Sequence, residues 1–384
     1  MQWPDSQWPN SRWPDSQGPD SQGRGMQGPG KQGPDAQAFP PERTLTRHAR
    51  QERFAPIGTL GQERLRGARV LIVGLGALGS HVAESLCRAG LGELILVDRD
   101  IVELQNLQRQ SLYDSADALA GRPKALAAAT RLAAIDPGLA IHALAAEFDA
   151  ELWDRLPARP QVIVDGTDNF ATRLLMNDLA VRDGVPFVHG AVVGGNGRVA
   201  VFVPGRGPCL RCLLEDEPAG REAQTCETAG VLEPAVAIVA ALQSAACLAL
   251  LVDARDAVPR GLAVVDAWSG TLVRRFAGAT PRPDCASCGT RSFPSLAPGP
   301  RAALTLCGRD AVQVRPRNPL TVDLHALADA LRGAVDALDV QAQFLRFRAD
   351  ACRFTVFADG RALVFGTGDP QRARALYDRW LALG

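Results

Sequence analysis

The feature that most constrains this chain is a glycine-spaced turn, Gly74-Leu75-Gly76-Ala77-Leu78-Gly79. It follows the apolar run Arg69 to Val73 and opens a helical pattern that continues through Ala89. Glycines at this spacing permit a tight turn and let backbone N–H groups approach a phosphate at the positive end of a helix. A second apolar run, Leu94 to Val97, ends in Asp98, nineteen residues after Gly79. A carboxylate placed there can accept hydrogen bonds from ribose hydroxyls. Strand, turn, helix, strand and acid in this register predict an adenine-nucleotide site, and at this point NAD and ATP are both open. Further on, the helical pattern Lys124 to Ile135 alternates with apolar runs at Val162 to Val164, Phe187 to His189 and Val199 to Val203. Alternation of this kind predicts an α/β fold, a doubly wound, Rossmann-like and mostly parallel sheet.

The charges downstream of Asp98 narrow the chemistry. Arg109 and Lys124 are two cations that suit a triphosphate, and Asp168, near a strand end, suits Mg²⁺. Hydride transfer needs no such set. Taken singly, Arg109 and Asp168 read equally well as solvated surface charges. Lys124 is set apart by composition: among 42 basic residues only Lys31 and Lys124 are lysines. At a triphosphate a compact ammonium with rotatable donors is not interchangeable with the planar guanidinium fork.

Nine cysteines, odd in number and sparse for 384 residues, argue against a disulfide framework and for metal or thiol chemistry. Cys209 and Cys212 form one CxxC pair and Cys285 and Cys288 another, with 72 residues between the pairs. Four thiolates of this kind are the ligand set of a closed structural Zn²⁺ site. Neither pair opens a helix after a strand, which weighs against a thioredoxin-like redox role. Cys226 stands alone between a polar stretch and a long apolar helix, where a thiol near a helix N-terminus is a candidate nucleophile. Cys87, Cys247, Cys307 and Cys352 have apolar neighbours and read as core residues.

Residues 1–40 read as a disordered tail. Its Trp/Pro/Gly pentapeptide repeat over residues 2 to 36, which contains Trp3, Trp8, Trp13 and Lys31, is too poor in aliphatic residues to offset its ordering entropy. Residues 41–66 read as an arm with a short helix and a turn, 67–293 as the nucleotide-binding domain with the zinc site, and 294–300 as a linker. Residues 301–384 read as a small α+β domain: a strand at Ala311 to Val314, a helix at Asp323 to Leu338, a strand at Gln343 to Phe347, a hairpin around Asp359-Gly360, and a last helix from Pro370 to Leu383. The membrane-like run Pro234 to Val252 reads as a buried core helix, because Glu233 and Pro234 make an ordinary helix start. With no apolar segment at the N-terminus resembling a secretory signal, a cytoplasmic location is expected. A formal net charge of zero gives no long-range field for nucleic acid or an anionic membrane.

In order along the chain, GLGALGS, LVDRDIVELQNLQRQ, GRPKA, DGTDNFATR, CLRC, TCETAGVLEP and CASCG resemble the MoeB/ThiF adenylyltransferases of the ubiquitin-activating enzyme superfamily, over about residues 45 to 290. The resemblance implies an enzyme that joins Mg-ATP to the C-terminal Gly carboxylate of a ubiquitin-like sulfur-carrier protein, releasing pyrophosphate. The acyl adenylate then becomes a thiocarboxylate for molybdopterin, thiamin or thiolated tRNA synthesis. It further implies a homodimer, and a sulfurtransferase or cysteine desulfurase as a further partner.

The same resemblance implies roles for single residues. Gly74, Gly76, Ala77 and Gly79 form the nucleotide loop, and Asp98 holds the ribose. Asn106 and Arg109 contact the phosphates, Lys124 balances charge at the α-phosphate, and Asp168, beside Asn169, binds Mg²⁺. Arg50 reaches the phosphates across the dimer interface. Cys209, Cys212, Cys285 and Cys288 hold zinc, and Cys226 is the position that forms a thioester or acyl persulfide. Ala77 stands where the family commonly has Gly, His48 where it has Tyr, and two extra residues lie between Arg109 and Lys124. No C-terminal rhodanese domain is recognisable. Two other readings compete: an NAD-dependent oxidoreductase using the same turn, which leaves Arg109, Lys124 and the CxxC pairs unexplained, and a non-catalytic zinc scaffold.

Overall fold

The computed structural model describes residues 47–214, 229–258, 261–276, 280–297, 304–305, 311–316, 320–341 and 344–381. The repeat tail with Lys31, Cys226 and Cys307 lie outside the described residues.

Strands β1 (Arg69–Val73), β2 (Glu93–Val97), β3 (Ala140–Leu144), β4 (Val162–Asp165), β5 (Phe187–Val193), β6 (Asn196–Phe202), β7 (Leu262–Asp266) and β8 (Thr271–Phe276) form one eight-stranded sheet. Its order is β3-β2-β1-β4-β5-β6-β7-β8. The first five positions are parallel, and β6, β7 and β8 extend the sheet antiparallel. This is the expected doubly wound, mostly parallel arrangement. The chain direction of winding reverses between β1 and β4, and ligands of such sheets bind in the crevice outside the carboxyl ends at that point.

Strand periodicity explains why both faces are covered. Val70, Ile72, Leu94, Leu96, Val162 and Val164 point to one core, whereas Leu71, Val73, Ile95, Val97 and Ile163 point to the other. Alternate residues face opposite sides, so a strand buried on both faces must be apolar throughout. Helices Ala77–Arg88, Lys124–Ile135 and Glu233–Leu251 fill the first core, and Phe170–Asp183 fills the second, together with Trp153 from the short helix Ala150–Asp154. Glu233–Leu251 is the only helix among the described residues long and apolar enough to cross a membrane. Ala235, Val236, Val239 and Cys247 on it are fully buried, as expected of a core helix. Cys87 and Cys352 are buried as well.

The arm departs from expectation: it carries two helices, Ala49–Glu52 and Gly58–Arg66, rather than one. The segment expected as a linker begins with a turn, Pro294–Leu296, held down where the Ser295 N–H donates to Asp178 Oδ2 at 3.0 Å. Strands β3, β7 and β8 went unanticipated, β3 because it is a half-exposed edge with no continuous apolar run.

A second, antiparallel sheet of six strands follows, built from β9 (Leu304–Thr305), β10 (Ala311–Val314), β11 (Asp336–Val340), β12 (Phe344–Ala349), β13 (Cys352–Phe357) and β14 (Ala362–Phe365). Helices Leu324–Leu331 and Pro370–Leu381 cover it. The expected hairpin forms, with Gly360 at φ +77°. The helix expected from Asp323 to Leu338 stops at Leu331. Gly333 adopts φ +81°, and Asp336–Val340 leaves the helix to pair with β12. Glycine supplies that left-handed turn without steric cost.

Candidate functional site

The glycine turn sits at the carboxyl end of β1, and its three glycines answer to different demands. Gly74 has φ +83°, and a Cβ there would lie 2.7 Å from the backbone of Gly166. A Cβ on Gly79 would lie 1.8 Å from the Gly74 carbonyl oxygen. Both are forced by backbone meeting backbone. Gly76 differs: a Cβ there would meet nothing nearer than Gln110 Nε2, at 3.7 Å. Internal packing does not require Gly76, and the room there leaves its backbone open to close approach. The same Gln110 is buried and its Oε1 has no hydrogen-bond partner among the described residues.

Gly76 caps the helix that starts at Ala77, so the first-turn N–H groups have no intrahelical acceptors and carry the positive end of the dipole. The turn is fixed from two sides. Leu75 N–H donates to Asp98 Oδ2 at 2.6 Å, and the Tyr113 hydroxyl donates to the Leu75 carbonyl at 2.8 Å. The other carboxylate oxygen of Asp98 accepts from Asp100 N–H at 2.7 Å. Burial pushes the Asp98 carboxyl up, and the nearby charge of Lys124 opposes that shift. A cradle with an open Cβ position, an unpartnered buried amide and oriented N–H groups fits an adenine nucleotide.

Three of the candidate charges, Arg109, Lys124 and Asp168, lie on the segments that follow β2 and β4. Lys124 is only 4% exposed; its Nζ lies 3.3 Å from Asp100 Oδ2, and its backbone N–H donates to the Asp100 carbonyl. Arg109 is partly exposed and donates to the Gln105 carbonyl at 2.8 Å. Asp168 is exposed, and its charge helps to raise the pKa of Arg99, the residue after Asp98. Arg50 is exposed on the helix Ala49–Glu52, whose Gln51 donates to the Ala89 carbonyl at the far end of the helix Ala77–Arg88, so this chain does not bring its own Arg50 to the glycine turn. The two asparagines carry a structural duty. Asn106 Oδ1 accepts from Glu103 N–H at 3.2 Å, and Asn169 Oδ1 accepts from Thr172 N–H at 2.9 Å as a helix cap. Only their amide nitrogens remain for a phosphate.

Sequence reasoning missed a buried cluster beneath the Asp168 loop. Asp165, at the end of β4, is fully buried. It meets His189 Nδ1 at 2.7 Å, Arg173 Nε at 3.1 Å and the Thr167 hydroxyl at 2.7 Å. Burial alone would raise its pKa, but Arg173 and His189 outweigh that and hold it below the usual carboxylate range. Arg173 also donates to the Thr167 carbonyl at 2.6 Å, so one guanidinium ties the loop to the strand. The signal lay in the sequence as an acid at a strand end with an arginine eight residues on.

The four cysteines of the CxxC pairs come together despite their separation, with all four sulfurs within 4.8 Å of one another. Cys209 and Cys212 sulfurs are 3.9 Å apart, Cys209 and Cys285 3.6 Å, and Cys212 and Cys288 3.4 Å. A tetrahedral centre with Zn–S bonds of about 2.3 Å needs sulfurs about 3.8 Å apart, so the cluster fits zinc. Around it, Asn177 accepts from Leu210 N–H at 2.8 Å and donates to Ser287 Oγ at 3.0 Å, while Ser287 donates to buried Asp178. These bonds hold both CxxC segments against the helix Phe170–Asp183.

Against known proteins, the ThiF family matches residues 48–287. The Sulfur carrier protein ThiS adenylyltransferase of Bacillus subtilis is 42% identical over 336 residues, covering 87% of this chain and 99% of that protein. The SAMP-activating enzyme E1 of Haloferax volcanii is 35% identical, covering 66% of this chain and 92% of that protein. Among solved structures, E. coli MccB with MccA-N7isoASN superposes with a TM-score of 0.56 at 22% identity, covering 64% of this chain and 75% of that one, a likeness of fold. The matched region holds the glycine turn, the candidate charges, the first CxxC pair and Cys285 of the second, and the chain belongs to the ThiF family.

Proposed function

We propose that this chain is an adenylyltransferase that joins ATP to the C-terminal Gly carboxylate of a ubiquitin-like sulfur-carrier protein, releasing pyrophosphate and preparing the carrier for thiocarboxylate formation. The observation that carries this reading is the match along nearly the whole length of the Bacillus subtilis ThiS adenylyltransferase. Molybdopterin, thiamin and tRNA thiolation pathways are the candidates it could feed.

The geometry supplies a mechanism. A carboxylate attacking an α-phosphate brings two anions together, so the site must present positive charge that is already oriented. Lys124, buried and held by Asp100, is such a charge, and the first-turn N–H groups after Gly76 add a second. Arg109 faces the same edge from the next loop, and Arg50 adds charge across a homodimer interface. Asp98 orients the ribose through the remaining lone pairs of a carboxylate fixed by the Leu75 and Asp100 N–H groups. Asp168 would hold Mg²⁺, which supplies further charge neutralisation when bound. The attacking carboxylate is ionised near pH 7, so no general base is required. The four cysteines would hold Zn²⁺ as a structural cross-link. Cys226 is proposed as the acceptor for thioester or acyl persulfide, with a sulfurtransferase or cysteine desulfurase as sulfur source, in the cytoplasm.

ATP–pyrophosphate exchange with Mg²⁺ and a carrier ending in Gly-Gly tests the reading. Carrier-dependent exchange is expected. Its absence with folded protein overturns the proposal, and saturable NAD binding without ATP binding would replace it with the oxidoreductase.

A further inference from the structure

The six-stranded sheet contributes nothing to the ThiF segment in sequence, yet it grips the nucleotide edge through one side chain. Arg361, between β13 and β14, is 1% exposed, and its guanidinium lies over the Phe357 ring at 3.8 Å. Its Nη1 donates to the Arg99 carbonyl at 2.7 Å, and its Nη2 donates to the Ala145 carbonyl at 2.7 Å. Gln313 of β10 supports it, with Oε1 accepting from Nη1 at 3.3 Å. Arg99 and Ala145 are the residues just past the ends of the candidate ribose acid and of β3. Asp98 N–H in turn donates to the Leu144 carbonyl. A buried arginine needs acceptors for its donors, and a planar fork that finds two backbone carbonyls in separate segments fixes their spacing.

The segment so held is short and matters on both sides. Asp98 precedes Arg99, and Asp100, the partner of Lys124, follows it. The next residue, Ile101, is buried in an apolar cluster with Ala311, Phe344, Phe357 and Leu363 of the second sheet. Glu147 adds a second tie, accepting from Arg99 at 2.8 Å and from Gln313 at 3.1 Å. The turn that aims the ribose carboxylate and the buried ammonium is therefore clamped from outside the nucleotide-binding sheet.

We propose that Arg361 is a positioning residue of the nucleotide site, which acts through the Arg99 and Ala145 carbonyls to hold Asp98 in register with the ribose of ATP. This rests on the adenylyltransferase reading above. The second sheet is then part of the catalytic unit, and its contribution is read in ribose recognition.

The test is carrier-dependent ATP–pyrophosphate exchange by full-length protein, run with ATP and with 2′,3′-dideoxy-ATP. Wild-type protein that exchanges with neither defeats the adenylyltransferase reading itself and leaves Arg361 no site to position. Given wild-type exchange, Arg361→Lys reaches only one of the two carbonyls. It is expected to raise KM for ATP about tenfold, the scale of one lost charge-assisted hydrogen bond, with little change in kcat. KM for dideoxy-ATP should change much less, so the preference for ribose hydroxyls collapses. A merely structural role would lower the amount of active enzyme and leave both KM values alone. Equal KM shifts for the two nucleotides, or none, overturn the proposal. Should Arg361→Lys not fold, Gln313→Met weakens the same fork, and a roughly two- to threefold KM rise confined to ATP is expected; an unchanged KM there overturns it equally.

Discussion

The nucleotide edge and the four-cysteine cluster are both held by polar groups, but they are finished in opposite ways. Around the cysteines, the polar side chains of Asn177, Asp178 and Ser287 are turned toward one another. Asn177 and Ser287 bind each other, Asp178 takes Ser287 and Arg211, and backbone N–H groups of Leu210 and Ser295 complete the set. At the nucleotide edge the supports are equally tight, yet Gly76 has room for a Cβ, Gln110 Oε1 has no partner among the described residues and Asp168 is exposed. A site that keeps its ligand closes its second layer, whereas a site that exchanges its ligand satisfies the layer beneath and leaves the front unpaired.

Gly79→Ala should produce the largest effect and breaks the edge through the packing of the glycine turn, leaving every candidate charge in place. Its Cβ would overlap the Gly74 carbonyl oxygen at 1.8 Å, a backbone atom that cannot yield. Soluble folded protein should be lost, as read by circular dichroism and thermal melting. A melting temperature within about 2 °C of wild type would show that the turn is not packed as described.

Cys285→Ser, or stripping of metal with a chelator, sharpens the other half of the comparison. A structural zinc contributes to folding itself. The variant should lose bound zinc and about 3–5 kcal/mol of stability, within the range for losing a buried structural link. The fraction still folded should keep its KM for ATP. A KM rise with stability unchanged would place the cysteines in the nucleotide site and remove the contrast.

What was legible in the sequence follows the same division. The turn from Gly74 to Gly79 was readable because its spacing is set locally, by the meeting of one strand, one helix and one carbonyl. The cysteine pairs were readable because two CxxC pairs in a chain otherwise sparse in cysteine have few other uses. Asp165 was not assigned a role, since its partners Arg173, His189 and Gln243 come from three separate elements and only the sheet register of β4 and β5 brings them together. The helix beyond Leu331 was misread because Asp336–Val340 is weakly apolar, and its strand character comes from pairing with β12. Arg361 carries no local signal; its bonds to the Arg99 and Ala145 carbonyls depend on docking between two sheets, which no local pattern encodes.

Lys124→Arg has a smaller expected effect and asks how finely the nucleotide edge is tuned. The side chain is 4% exposed and already committed to Asp100 at 3.3 Å, so there is space for an ammonium and little for a planar fork. Charge is conserved, and a purely long-range electrostatic role would leave exchange near wild type. A role that depends on one compact donor beside Asp98 and Asp100 predicts a fall in exchange of about a hundredfold, roughly 2.7 kcal/mol of transition-state stabilisation. The loss should appear in kcat, with ATP binding reduced far less, because the ammonium is needed most as charge develops at the phosphate. Overpacking could lower stability by about 1–3 kcal/mol as well, so exchange is compared at equal folded concentration set by thermal melting. Exchange at the wild-type level in folded Lys124→Arg would mean that the edge tolerates any cation at that position. The rarity of lysine in this chain would then be a matter of composition alone.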